Sequence, residues 1–160
     1  MEEENKRRWH EPKPGTRDHA EKTYIMAEDL RILVATQLKN KISCSFSLHI
    51  ADDEYYCPPM SDAKEVIEES KLDRKKWAGR RFDCDDFAFV LKAHFAEASY
   101  AHSERRAAHC FGIIWGHTPD EHAINWVVTD EMKLYFVEPQ TDDVCVPDDT
   151  DNENIWLMIV

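Results

Sequence analysis

The chain has 160 residues, 42% of them hydrophobic, and a formal net charge of -12; it is long enough for one domain with its own core, and a second is not expected. The negative balance argues against nucleic acid and anionic membrane surfaces as partners, since both draw on positive charge, and it favours cations such as calcium. Five cysteines without close paired spacing, and no apolar run at the N-terminus, suggest a reducing, cytoplasmic setting with no membrane segment.

Residues 1 to 17 are charged, contain Pro12 and Pro14 and lack periodicity, which predicts a flexible arm ahead of a single domain over 18 to 160. Asp18 with Glu21 reads as a capping box, and Met26, Leu30, Leu33, Val34 and Leu38 form the stripe of a helix ending near Asn40. Ile42, Cys44, Phe46, Leu48 and Ile50 alternate with Ser43, Ser45, Ser47 and His49, the period of a half-buried strand that places Cys44 in the core. Pro58 and Pro59 end the next segment, and Ser61 or Asp62 caps a short helix through Glu69.

The following helix carries the first candidate residue. Phe87, Val90, Leu91, His94, Phe95 and Ala98 recur at three- and four-residue steps, with Cys84 on the same apolar stripe. Asp83 is a good N-cap with Asp86 placed to answer it, so Cys84 falls at the first helical position, where unpaired N–H groups favour a thiolate. The adjacent carboxylates of Asp85 and Asp86 oppose one unless they point away or hold a cation. An isolated cysteine here reads as a small buried hydrophobe.

Strands are expected over 111 to 115, 122 to 128, 134 to 138 and 155 to 160, giving helices first and an antiparallel sheet afterwards, an α+β class. Residues 129 to 133 have the length of a hairpin loop. In that register Trp126 faces Phe136, Ile124 faces Glu138 and His122 faces Gln140, so Glu138 becomes the diagonal neighbour of His122 while Asn125 turns to the opposite face. A slip of one residue would undo this. Taken singly, His122 reads as a structural histidine and Glu138 as a solvated carboxylate. In chain order Cys84, His122, Glu138, they match nucleophile, base and orienting group.

Cys84-Asp85-Asp86-Phe87-Ala88 at a helix start, His122-Ala123-Ile124-Asn125 on a strand and Glu138-Pro139-Gln140 closing the next resemble the papain-like cysteine protease domain of fungal chimerolectins such as the Marasmius oreades agglutinin. The resemblance runs from about Tyr55 to the C-terminus. It implies a papain-like fold with the nucleophile helix packed on the sheet, cleavage of peptide or amide bonds in a protein or peptide substrate, and calcium dependence. Cys84 would be the nucleophile, His122 the general base and acid, and Glu138 the residue fixing the imidazole. The agglutinins carry a β-trefoil sugar-binding domain that this chain has no room for, so glycan binding is not implied. The same Cys, His, acidic order occurs in the transglutaminase-like superfamily, which leaves acyl transfer open.

Gln140 is a candidate oxyanion or substrate-binding donor, and a backbone N–H at the start of the Cys84 helix is a second; the glutamine that the papain-like resemblance implies ahead of the cysteine is missing from Ala78 to Asp83. Asp85 and Asp86 are the candidate metal ligands, for calcium or manganese. Asp52, Asp53 and Glu54 make a second acidic cluster, and Asp149, Asp151 and Glu153 a third that lacks the glycine and terminal glutamate of an EF-hand and reads as a solvated loop. His109 and Cys110 face opposite ways on a strand, His117 reads as a loop residue, and no zinc-ligand spacing occurs. The competing class is a non-enzymatic acidic binding or structural module with the same fold. The sequence does not settle oligomeric state.

Overall fold

The computed structural model describes residues 24–117, 121–147 and 154–160. The expected arm, the Asp18–Glu21 cap and the acidic stretch Asp149 to Glu153 lie outside these residues. Strand β1 (Tyr24–Met26) leads into α1 (Ala27–Gln37), followed by β2 (Ile42–His49) and β3 (Glu54–Tyr56). Helices α2 (Met60–Ser70) and α3 (Cys84–Ala101) come next, with short 3-10 turns at Leu72–Arg74 and Gly79–Arg81 between them. Strands β4 (Phe111–His117), β5 (Glu121–Val128), β6 (Leu134–Glu138), β7 (Asp143–Cys145) and β8 (Asn154–Ile159) complete the described chain.

The first helix begins later than its stripe suggests. Met26 caps it, because residues 24 to 26 pair antiparallel with β3, Ile25 opposite Tyr55. Both of those side chains are buried, and Arg106 clamps the ribbon by pairing with Glu54 at 2.6 Å while stacking on Tyr24 at 4.2 Å. Helix α2 starts at Met60 rather than after Ser61 or Asp62, with Pro59 at its N-cap holding φ at -55°.

Strand β2 and strands β4 to β8 form a six-stranded sheet in the order β2-β8-β4-β5-β6-β7, apart from the two-stranded β1-β3 ribbon. All pairs are antiparallel except β2 with β8, so the expected antiparallel sheet is mixed. Cys44 is exposed rather than in the core. It lies on the edge strand, where the register shifts between Ile42 and Ser47 and the simple inside-outside period is lost.

Apolar layers cover both faces of the sheet. On one, Leu30 and Val34 of α1 and Leu38 at its C-cap pack with Ile114, Trp126, Val128, Leu134, Phe136 and Met158. On the other, Phe87, Leu91 and Phe95 of α3 and Ile67 of α2 meet Phe111, Val127 and Val137. Phe95 stacks on Phe111 with centroids 3.6 Å apart, and burying each such side chain is worth about 2 kcal/mol. The alternation along β5 is therefore explicit: Ala123, Asn125 and Val127 turn toward α3, while Ile124, Trp126 and Val128 turn toward α1. No helix among the described residues is long and apolar enough to cross a membrane.

Candidate functional site

The start of α3 is set by a capping box. Asp86 Oδ2 accepts the Asp83 N–H at 3.1 Å, and the Asp83 side chain answers the Asp86 N–H. This satisfies N–H groups that the first helical turn leaves orphaned, and it fixes Cys84 as the first helical residue. The Cys84 side chain is half-buried and packs with Ala88, Ile113 and Ala123, beside Trp115 and Ile159.

Strands β5 and β6 pair in the expected register, Trp126 opposite Phe136 and Val128 opposite Leu134. His122 Nε2 lies 2.7 Å from Glu138 Oε2. With the carboxylate ionised, Nε2–H is the donor, and Nδ1 of the neutral ring is left as an acceptor. Glu138 Oε1 in turn accepts the Gln140 backbone N–H at 3.1 Å, so Gln140 contributes its main chain to orienting Glu138. Asn125 is turned away from His122 and fully buried. Its Nδ2 donates to Ala88 O at 2.9 Å and to Gly112 O at 3.0 Å, stitching helix α3 to β4, while its Oδ1 has no partner. That stitch leaves no mark in the sequence beyond a polar residue in an apolar strand.

The structure thus joins His122 to Glu138 and places Cys84 one residue along the same strand, against Ala123. Alternation turns Ala123 toward α3 and His122 toward the face that carries Ile124 and Trp126. Among the described residues no hydrogen bond links Cys84 to His122.

The acidic residues beside the thiol have divided roles. Ligand atoms of Asp83, Cys84 and Asp85 all lie within 4.8 Å of one another, whereas one oxygen of Asp86 is engaged in the helix cap. Sharing a hydrogen bond with Asp85 holds the Asp83 carboxyl above the usual carboxylate range, with desolvation and the charges of Asp85 and Asp86 adding to it. The metal ligands expected from the sequence are Asp85 and Asp86, with Asp83 as the helix cap. Its proximity to Asp85 follows from the extended N-cap backbone, which turns its side chain back over the first turn.

The family model described as Agglutinin C-terminal matches residues 55–144, more than half of the chain. This chain belongs to the Agglutinin C-terminal family. Among solved structures, one titled PSL1a-E64 complex is similar at a TM-score of 0.74 and 20% identity, over 86% of this chain and 51% of that one. The Polyporus squamosus lectin bound to a human-type influenza-binding epitope, Neu5Aca2-6Galb1-4GlcNAc, is similar at a TM-score of 0.69 and 19% identity, over 86% of this chain and 50% of that one. The chain spans about half the length of these structures, and at such identities the likeness is one of fold. No curated protein matches it.

These findings correct the expectation of a papain-like cysteine protease. The family that matches is described as an agglutinin's C-terminal part and one structural neighbour is a lectin, so the hydrolase and thiol-protease descriptions fall with that expectation.

Proposed function

We propose that this chain is a non-enzymatic binding module of an agglutinin-type protein and that it takes a small hydroxyl-rich ligand of the saccharide class beside His122 and Glu138. Family membership over residues 55–144 is the observation that carries the reading. The chemistry of the site supports it. His122 Nδ1 and the carboxylate of Glu138 present acceptors, half-buried and held in place by the Gln140 N–H, and acceptor-rich surfaces suit ligands that offer several hydroxyl donors. The net charge of -12 opposes an anionic sugar, so a neutral disaccharide is the better ligand.

Calorimetric titration tests this with Galβ1-4GlcNAc against Neu5Acα2-6Galβ1-4GlcNAc at low ionic strength. Saturable binding is expected, tighter for the neutral sugar, and weakened about tenfold or more by Glu138→Gln, the loss of a charge-assisted hydrogen bond. Absence of saturable binding to both sugars overturns the proposal.

Calcium belongs to the same proposal, with Asp83 and Asp85 as its carboxylates. The fit is partial, since two carboxylates and a soft thiol fall short of the six to eight oxygens that calcium takes. A cation there would relieve the crowding that holds the Asp83 carboxyl up. After exhaustive chelation, added calcium is expected to raise the melting temperature of the wild type and to leave Asp85→Asn unchanged. An equal response in both proteins removes the site.

A further inference from the structure

Away from the His122–Glu138 pair, two thiols meet in the core. Tyr56 and His109 form a parallel bridge, with Tyr56 N–H donating to Ala108 O at 2.7 Å and Cys110 N–H donating to Tyr56 O at 2.6 Å. The next residue on each side is a cysteine. Residues level with one another on adjacent parallel segments project to the same side, and their Cα atoms lie about 5 Å apart, inside the window of about 4.4 to 6.8 Å that a disulfide spans. Cys57 and Cys110 are both fully buried and belong to the same apolar cluster.

We infer that Cys57 and Cys110 are a buried dithiol that closes to a disulfide when the protein meets a small disulfide oxidant such as oxidised glutathione. The exchange balances. One protein thiolate attacks the glutathione disulfide, forming a mixed disulfide and releasing one glutathione thiol, and the second protein thiolate attacks the mixed bond and releases the other. One S–S bond forms in the protein, one breaks in the oxidant, and the protein gives up two protons and two electrons. Burial pushes the Cys110 thiol well up, the neighbouring Cys57 adds to this, and the ammonium of Lys92, which donates to Phe111 O at 2.7 Å, pulls part of the way back. Exchange therefore waits on transient opening of the segment ahead of Pro58 and is slow.

The crosslink would tie the two ends of the whole stretch that carries α2 and α3, including Cys84 and its capping box. Constraining a long stretch of the unfolded chain raises stability. The proposal stands apart from sugar binding, because its readouts are covalent mass and unfolding.

The test is prolonged incubation of the full chain with oxidised glutathione, then alkylation of remaining thiols in denaturant and mapping by mass spectrometry. Expected are a loss of about 2 Da, the two hydrogens removed, a linked peptide pair containing Cys57 and Cys110, and a urea midpoint raised relative to the reduced protein and restored by reductant. Cys57→Ala should show neither the link nor the midpoint shift. The wild-type map decides the matter even if that variant folds poorly. Recovery of Cys57 and Cys110 both alkylated, a stable glutathione adduct on either, or a link through Cys44, Cys84 or Cys145 overturns the inference, as does a lowered midpoint in the linked protein.

Discussion

The five cysteines sit in three surroundings: Cys44 and Cys145 are exposed, Cys84 is half-buried at the head of α3, and Cys57 and Cys110 are sealed in the core. A non-enzymatic module has no reason to favour Cys84, so brief labelling with iodoacetamide at mildly acidic pH should modify Cys84 no faster than Cys44. Selective reaction at Cys84 under those conditions would mean an activated thiolate and would overturn that reading. His109 offers a separate test at the same scale. Its ring is buried, with Nδ1 2.6 Å from Ser99 Oγ and Nε2 3.0 Å from Arg105, and the Arg105 guanidinium as donor fixes Nε2 as the acceptor. Burial, then the Arg105 charge, lowers its pKa from 6.5 to about 4. The unfolded chain therefore binds a proton that the folded one refuses across that interval. Stability is full above the unfolded value and falls as pH drops from 6.5 toward 4, by about 3 kcal/mol in all. Urea unfolding at a series of pH values should show this slope in the wild type and a flatter one in His109→Gln.

Between elements, Gly112 is where β4 comes closest to its neighbours. A Cβ there would collide with Ile159 O on β8 and lie 2.5 Å from the Trp126 indole nitrogen, which itself donates to Ile159 O at 3.2 Å. Backbone and a buried indole cannot both give way, so Gly112→Ala should cost about 2 kcal/mol or more by chemical denaturation. A neutral outcome would show that the sheet yields there. At this scale the sequence was most legible where contacts are local. The cap Asp83 with Asp86, the stripe of α3 and the register of β5 on β6 all depend on residues a few positions apart or joined by one short loop. They also bring His122 to Glu138. What failed depended on distant partners. Tyr24–Met26 is strand because of Glu54–Tyr56, and Cys44 is exposed because its strand lies at an edge, which alternation alone does not reveal. The relation of Cys84 to His122 is likewise tertiary, since it depends on which face of β5 the helix covers.

For the molecule as a whole, the surplus of acidic over basic residues makes compactness work against self-repulsion. Raising sodium chloride from a few millimolar to about 0.15 M shortens the Debye length to about 8 Å and should raise the melting temperature. A fall would mean that screened attractions, such as Arg106 with Glu54, outweigh the net repulsion.

The sheet order has a further consequence, in time rather than in space. Strand β8 lies between β2 and β4, bonded in parallel to one and antiparallel to the other, while Ile155 N–H reaches Lys41 O and Val160 N–H reaches His49 O. During synthesis β2 emerges early and finds no sheet partner until residues 154 to 159 leave the ribosome. Over that interval it is an alternating apolar strand with both edges open, the kind of segment that pairs with the wrong neighbour or recruits a chaperone. Its loop-closure cost is among the largest in the fold, which makes the docking of β8 a late step that completes β2, β4 and the α1 face of the core together.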